Sequence, residues 1–299
     1  MVATTRLAPH TTRPGTPPRA RPKGTDVKVI LYVIAAVLSV VVFVMPLIWA
    51  LIRSLQPNDV ITATPDPATF FQLTWDNFRG IADEGHIPRA VGNSLIVSIS
   101  TAVLTMLLST AAGYGFGRFR FRGSGVAFAL IIITLMVPFQ AILTPLFLQM
   151  NAMRLTDSLL GLVLFYSTVN LPFGVFVMRT AFAAVPDALE EAARIDGAGT
   201  TRTLISVLRP LIVPGMATTA LYAFLASWTE FLGALTFLTK QELYTLPVSL
   251  VNLQQGAYGQ VDYGFLAAGA VIAMIPCVIL FVALQRYYVA GLAAGAVKG

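Results

Sequence analysis

The residues best placed to do charge chemistry fall in one stretch, Pro186 to Gly215 (PDALEEAARIDGAGTTRTLISVLRPLIVPG). There Asp187, Glu190, Glu191 and Asp196 are interleaved with Arg194, Arg202 and Arg209. Carboxylates and guanidiniums at such spacing make ion pairs and recognition surfaces. No pair of carboxylates poised for acid–base work, metal cluster or nucleophile with a base is visible in the chain, so the chemistry indicated is binding and not bond-breaking. The stretch is too polar to cross a bilayer, and a helix from Asp187 to Ile195 would be only about 14 Å long at ~1.5 Å per residue, against a hydrocarbon core of ~30 Å.

Local signals predict two short helices with a bend between them. Asp187, followed three residues later by Glu190, makes a capping-box-like start after Pro186. Gly197 ends the first helix, because glycine takes the left-handed conformation at little steric cost. Thr200 or Thr201 caps the second, and Pro210 and Pro214 stop it or lead into the next apolar segment. Ala192 and Ala193 keep the first helix slim enough for another backbone to approach closely. On the residues alone the stretch is either an ordinary helix-turn-helix connector at a membrane surface or a docking element.

The elements that must hold this stretch are apolar. Of 299 residues, 56% are hydrophobic and 11% charged, and mean hydropathy is +0.76; so few charges cannot coat a soluble surface. The net charge of +6 is distributed by membrane side and is not gathered with aromatic platforms, which argues against nucleic acid. Cys277 has no intrachain partner, and His10 and His86 lie far apart in unlike contexts, so neither a disulfide framework nor a metal site is expected.

Taken in order, residues 1–27 form a basic, proline-rich tail that cannot bury enough apolar area to order itself. Residues 28–299 are expected to form one membrane domain, with the polar loop at 183–210. Charge-free runs Val29–Ile52, Ala90–Gly117, Gly123–Met153, Ser158–Met178, Pro210–Thr229 and Tyr263–Gln285 give six spans, the fifth continuing past Glu230 to about Leu238. With the N-terminus inside, only Arg53, Arg79, Arg89, Arg154 and Lys240 of the 20 Lys and Arg residues fall outside. The positive-inside rule therefore places both termini and the 183–210 loop in the cytosol.

Within and beside the spans, Ser109, Gly113 and Gly117 form a small-residue stripe suited to close helix packing. Pro138, Pro145, Pro172 and Pro276 predict bent or locally unwound helices. Asn93, Gln140, Asn170 and Glu230 are candidates for a translocation path or gate, or for interhelical hydrogen bonds, because an unsatisfied amide or charge in lipid is costly. Trp75 and Phe78 suit the membrane interface. Gln254, Gln255 and Tyr258, in the loop from Thr239 to Asp262, suit sugar hydroxyls or a delivering protein, as they suit any wet loop.

Glu191-Ala192-Ala193, Asp196-Gly197-Ala198, Pro210 and Pro214 together resemble the EAA loop of ABC importer permeases. Asn93-Ser94-Leu95-Ile96-Val97, Gly117-Arg118-Phe119-Arg120-Phe121-Arg122-Gly123, Trp228-Thr229-Glu230-Phe231, Tyr244-Thr245-Leu246-Pro247 and Gly295-Ala296-Val297-Lys298-Gly299 extend the likeness to the smaller, six-span partner of maltose-type carbohydrate importers. Arg209 and Thr229 depart from it, standing where the family usually has an apolar residue and an asparagine.

The resemblance implies an all-α polytopic protein with six transmembrane helices in the ABC importer type I permease fold. Its loop residues Glu190, Glu191, Ala192, Ala193, Arg194, Asp196, Gly197, Ala198 and Pro210 would couple to an ATPase. It also implies a second permease, two ATPase subunits carrying ATP and Mg, and an extracytoplasmic solute-binding protein, in the cell membrane of a bacterium or archaeon. The solute would be an oligosaccharide, disaccharide or related compound, moved by alternating access. The chain has no G-x-x-x-x-G-K-[ST] loop, so ATP hydrolysis is expected on another polypeptide. The alternative is an ion-coupled secondary transporter of a small polar solute, for which Glu230 is the one ionisable group offered inside a span.

Overall fold

The computed structural model describes residues 24–296 apart from 65, 84–85 and 255–260, with side chains described over 27–283 except Gln254. Nearly all of the basic tail, and Gln255, Tyr258 and Lys298, lie outside the described residues. Those described are helical, with no strand. The order is α1 (Gly24–Ser54), α2 (Asn58–Thr62), α3 (Asp76–Asp83), α4 (His86–Arg118), α5 (Ser124–Ile133), a 3-10 turn at Thr134–Met136, α6 (Phe139–Ala152), α7 (Leu159–Ala183) and α8 (Asp187–Ile195). Next come α9 (Thr200–Arg202), a π-helical segment at Thr203–Leu208, α10 (Arg209–Thr229), α11 (Leu232–Phe237), a 3-10 turn at Gln241–Leu243, α12 (Leu246–Gln254) and α13 (Tyr263–Ala296).

Contacts divide the chain after Trp49. The described part of the first unit is α1 up to that residue, with its apolar side chains exposed from Val27 onward. The helix Val27–Ser54, 28 residues at a hydropathy of 2.8, is long enough to cross a ~30 Å core.

In the second unit, α4 packs most extensively against α7 and next against α10. The seam is built from small residues: Gly113 lies against Met178, Gly117 against Phe182, and Gly174 against Ser109 and Thr219. A Cβ at Gly117 would sit 2.9 Å from that of Phe182, so glycine here is what permits the backbones to approach. Apolar clusters lock the rest. One joins Val97 of α4 to Leu162 and Phe165 of α7 and Phe237 of α11. A second joins Phe224 and Trp228 of α10 to Ala268 of α13, where the Trp228 Nε1–H donates to the Ala273 carbonyl at 3.0 Å. A third, of Met178, Phe182, Val185, Leu208 and Ile212, sits under α8. Arg179 lies 3.9 Å above the Phe128 ring and ties α7 to α5.

The third apolar run breaks where Pro138 predicted a bent or locally unwound helix. It bends by 102° between Met136 and Phe139, because Pro138 lacks an N–H and holds Val137 extended (ψ 117). Of the two pieces, α6 at 14 residues spans only about 21 Å, so each crosses part of the core. The fifth span stops at Glu230, which is extended (ψ 131), and does not run on to Leu238. Of the two outcomes expected at Pro210 and Pro214, they lead into the next apolar segment: residues Thr200 to Thr229 run as one helical stretch of 30 residues. Pro210 offers no N–H to the Ser206 carbonyl and its ring crowds it, and the π-helical turn just before is where the helix widens to take it. Counting the bent pair as one span, six membrane segments remain. Of the expected interfacial pair, Trp75 is exposed while Phe78 packs inward against the cluster around Ile81 and Ile87.

Gly113→Val is expected to overpack the α4–α7 seam at a cost of about 1–3 kcal/mol; thermal unfolding of the detergent-solubilised protein should show a clear fall, and an unchanged transition would mean the seam is loose.

Candidate functional site

The polar loop is held by the ends of three long helices. Val185, buried in the cluster with Phe182 and Leu208, turns the chain out of α7 into α8. At the other end, the Ala198 N–H donates to the Ala193 carbonyl and the Gly197 N–H to that of Arg194, with Gly197 at φ +76. This is a Schellman motif, and its left-handed position is the reason for glycine.

The start of α8 differs from the expected capping box. Its N-cap is Pro186, which has no side-chain cap bond, and both acids turn to Arg118 at the end of α4. The Arg118 Nη1–H donates to Asp187 Oδ1 at 2.7 Å, and Nε lies 2.7 Å from Glu190 Oε1 in an ion-pair contact. The side chains of Arg118 and Glu190 are only 7% and 11% exposed, whereas Asp187 is 84% exposed. Losing one partner of such a shielded pair costs about 3–5 kcal/mol, because the other charge is left buried. Likewise Thr200 and Thr201 do not cap α9; its N-cap is Gly199, with no side-chain bond.

Adjacent glutamates thus face opposite ways. Glu190 and Ala193 are buried against the bundle, while Glu191, Ala192, Arg194 and Asp196 are exposed, Ile195 is 86% exposed and Ala198 is half-buried. Behind α8 is a cavity of about 300 Å³ lined by Tyr114, Phe119, Glu190, Arg194, Thr200 and Thr203. Pro210, at the head of α10, shapes the helix and lies apart from this face.

The four polar residues expected near a path do not line one cavity. Asn93 donates through Nδ2 to the carbonyls of Glu242 (2.9 Å) and Tyr244 (3.0 Å), and its neighbour Ser94 accepts from the Leu246 N–H at 2.8 Å. Asn170 donates to the Tyr166 carbonyl at 2.8 Å within α7. Glu230 accepts from the Tyr166 hydroxyl at 2.6 Å and from the backbone N–H groups of Gly233 and Ala234. Its carboxylate therefore takes the donors that a continuous helix would have sent to Thr229 and Glu230, which is why the helix can break there. Gln140 is exposed at the start of α6. A separate cavity of about 600 Å³, lined by Val137, Phe139, Leu146, Gln149, Phe165 and Pro172, touches none of the four. Gln254 ends α12.

Also at the end of the bundle away from α8, the Thr239 N–H donates to Asp157 Oδ1 at 2.6 Å and the Thr239 hydroxyl to Oδ2 at 2.7 Å. The Thr239 N–H, above all, holds the Asp157 carboxyl below its ordinary value of 3.8, its hydroxyl and the Lys240 N–H adding to this against a small opposing effect of burial. Sequence reasoning missed Asp157, Tyr166, Ser94 and the role of Arg118. Each partner lies 64 or more residues away, so no local pattern marks them.

Residues 105–293 match the family described as the binding-protein-dependent transport system inner membrane component. The chain belongs to this family. It is thus a multi-pass ABC importer permease, and membership decides against the ion-coupled carrier. The permease is 35% identical over 262 residues to the arabinooligosaccharides transport system permease protein AraQ of Halalkalibacterium halodurans, covering 86% of this chain and 91% of that one. It is 32% identical to the trehalose transport system permease protein SugB of Mycobacterium tuberculosis, covering 85% and 92%. Its fold matches a chain of a bacterial ABC transporter involved in the import of the acidic polysaccharide alginate, with a TM-score of 0.77 at 21% identity over 91% of this permease and all of that chain.

Two expectations follow. Glu230→Ala should destabilise the permease by about 1–2 kcal/mol, as loss of a capping side chain does, while Glu230→Gln, which keeps an acceptor, should lose less; equal thermal stabilities would remove the capping role. Because the Asp157 carboxyl is depressed, it contributes stability above its ordinary value of 3.8 that is lost as pH falls through the folded value. Asp157→Asn should flatten the dependence of melting temperature on pH in that acid range, and an unaltered dependence would assign it to other acids.

Proposed function

We propose that the permease forms half of the translocation path of an ATP-driven carbohydrate importer and docks an ATPase through the outward face of α8. The observation that carries this reading is the division of α8 into a shielded side, Glu190 and Ala193, and an exposed side, Glu191, Ala192 and Ile195, at the junction of α7 and α10. A helix tied to the bundle on one face and bare on the other suits a partner of complementary shape. Ala192 admits its backbone closely, whereas Ala193 faces the bundle, and Glu191 and Arg194 supply charges for register.

The proposed assembly contains a second permease, two ATPase subunits holding ATP and Mg, and an extracytoplasmic solute-binding protein. The last fits the family's binding-protein dependence. Chemistry on ATP belongs to the ATPase subunits, and this chain is no enzyme. The α8 end and both termini lie in the cytosol of a bacterial or archaeal cell; the charge imbalance across the spans supports this orientation. Gln254, Gln255 and Tyr258 then fall on the outside, where the binding protein delivers its cargo. Asn93, Asn170 and Glu230 support the gate through their hydrogen bonds, and the exposed Gln140 is left to face the path. The sugar-named relatives AraQ and SugB favour an oligosaccharide or disaccharide. Closure of the ATPase pair moves α8, and the attached spans switch the cavity between inward-facing and outward-facing states.

Purification of the permease from mildly solubilised membranes, with ATPase assay of the eluate, tests the docking. Wild type should carry an ATPase. Glu191→Ala combined with Gly197→Val should lose it, since valine at φ +76 is strained by about 1–2 kcal/mol and the helix end is displaced. Full retention by the double variant would place docking elsewhere.

A further inference from the structure

Helix α4 differs from every other described span. Pro46, Pro172, Pro214 and Pro276 lie inside α1, α7, α10 and α13, and the α5–α6 segment is broken at Pro138. Helix α4 has Pro88 only in its first turn and runs for 33 residues without an interior proline. A proline removes a backbone hydrogen bond and bends a helix; a helix without one transmits displacement along its axis with less loss. From Asn93 to Arg118 the axial distance is about 37 Å at ~1.5 Å per residue, more than the ~30 Å hydrocarbon core.

Both ends of this rod are pinned to segments distant in the chain. At one end Arg118, nearly shielded from solvent, grips Asp187 and Glu190 of α8. At the other, Asn93 spans the carbonyls of Glu242 and Tyr244, and Ser94 receives the Leu246 N–H. Chain continuity already joins α8 to α7 and α10. Arg118 adds α4, which grips the 242–246 segment through side-chain bonds at its far end, whereas Asp157 at the head of α7 holds only the neighbouring Thr239 and Lys240. Between the pins, Gly113 and Gly117 seat the rod on α7 without side-chain bulk.

We propose that α4 is a strut that carries displacement of α8 across the membrane to the 242–246 segment, with Arg118 and Asn93 as the positioning residues at its ends. This rests on the docking function proposed above for α8. It makes the coupling reciprocal: whatever binds at 242–246 biases α8 by the same free energy with which α8 biases that segment. Arg118 touches neither nucleotide nor solute in this scheme; it acts through Glu190.

The test uses the assembled importer in proteoliposomes, with Cys277→Ala as background and the exposed Glu242→Cys, whose carbonyl Asn93 holds, as reporter. The reporter's reaction rate with a membrane-impermeant maleimide is measured before and after trapping with Mg-ATP and vanadate, and is expressed per recruited ATPase. The unaltered strut should change the rate by about fivefold or more on trapping, the lower range of allosteric coupling. Arg118→Met and Asn93→Leu should each abolish the change. The double variant should be no worse than either alone, since each cuts the same rod. Arg118→Glu with Glu190→Arg should restore the response, a rescue that a space-filling role would not produce. If Arg118→Met is not recovered from membranes, the exchanged pair carries the test, and a folded exchanged pair without response overturns the strut. A response in Arg118→Met equal to that of the unaltered strut, or additive losses in the double variant, also overturns it. Failure of even the unaltered chain to recruit an ATPase would instead overturn the docking function, and the strut with it.

Discussion

The close approach of α4 and α7 is the constraint on which the rest of the permease depends. Within a bilayer, helices gain little from hiding apolar surface, because lipid tails are as apolar as leucine, and association relies on van der Waals contact and hydrogen bonds. Gly113 and Gly117 on α4, and Gly174 on α7, supply that contact by removing side chains from the seam. The seam also fixes where α4 ends relative to the turn out of α7. That placement brings the guanidinium of Arg118 to 2.7 Å from acids 69 and more residues further along. Looser packing would leave Arg118 short of α8, and α8 would be held by its covalent neighbours alone.

A second constraint is that backbone donors and acceptors at membrane depth must be satisfied within the protein. Each irregularity has its own remedy. At Glu230 the side-chain carboxylate replaces carbonyls as acceptor for Gly233 and Ala234, and Tyr166 steadies it. Before Pro210 a π-helical turn absorbs the missing donor. At Pro138 the chain turns by 102° between two half-length helices. These breaks interrupt the other spans, whereas α4 runs without an interior proline.

Opposed orientations of neighbouring residues let α8 serve two surfaces. Successive positions on a helix point about 100° apart, so Glu190 can be committed to Arg118 while Glu191 is exposed. An ion pair this well shielded adds little net stability relative to apolar packing, but its geometry is specific.

Much of this was legible in the sequence, for reasons of chain-local physics. Apolar runs of bilayer length matched the number of membrane segments, and Gly197 marked the end of α8 because glycine takes the left-handed conformation that closes that turn. The motif spacing around Glu191 pointed to the family to which the chain belongs. Tertiary structure alone decided which of Glu190 and Glu191 faces inward. It also decided that Asp187 pairs with Arg118 and does not cap its own helix, that Glu230 ends a helix the hydropathy would continue, and that Asn93 holds carbonyls some 149 and 151 residues away. Hydropathy and periodicity record the solvent a residue prefers, whereas these outcomes depend on which distant group occupies the adjoining space, and only the packed fold brings those groups together.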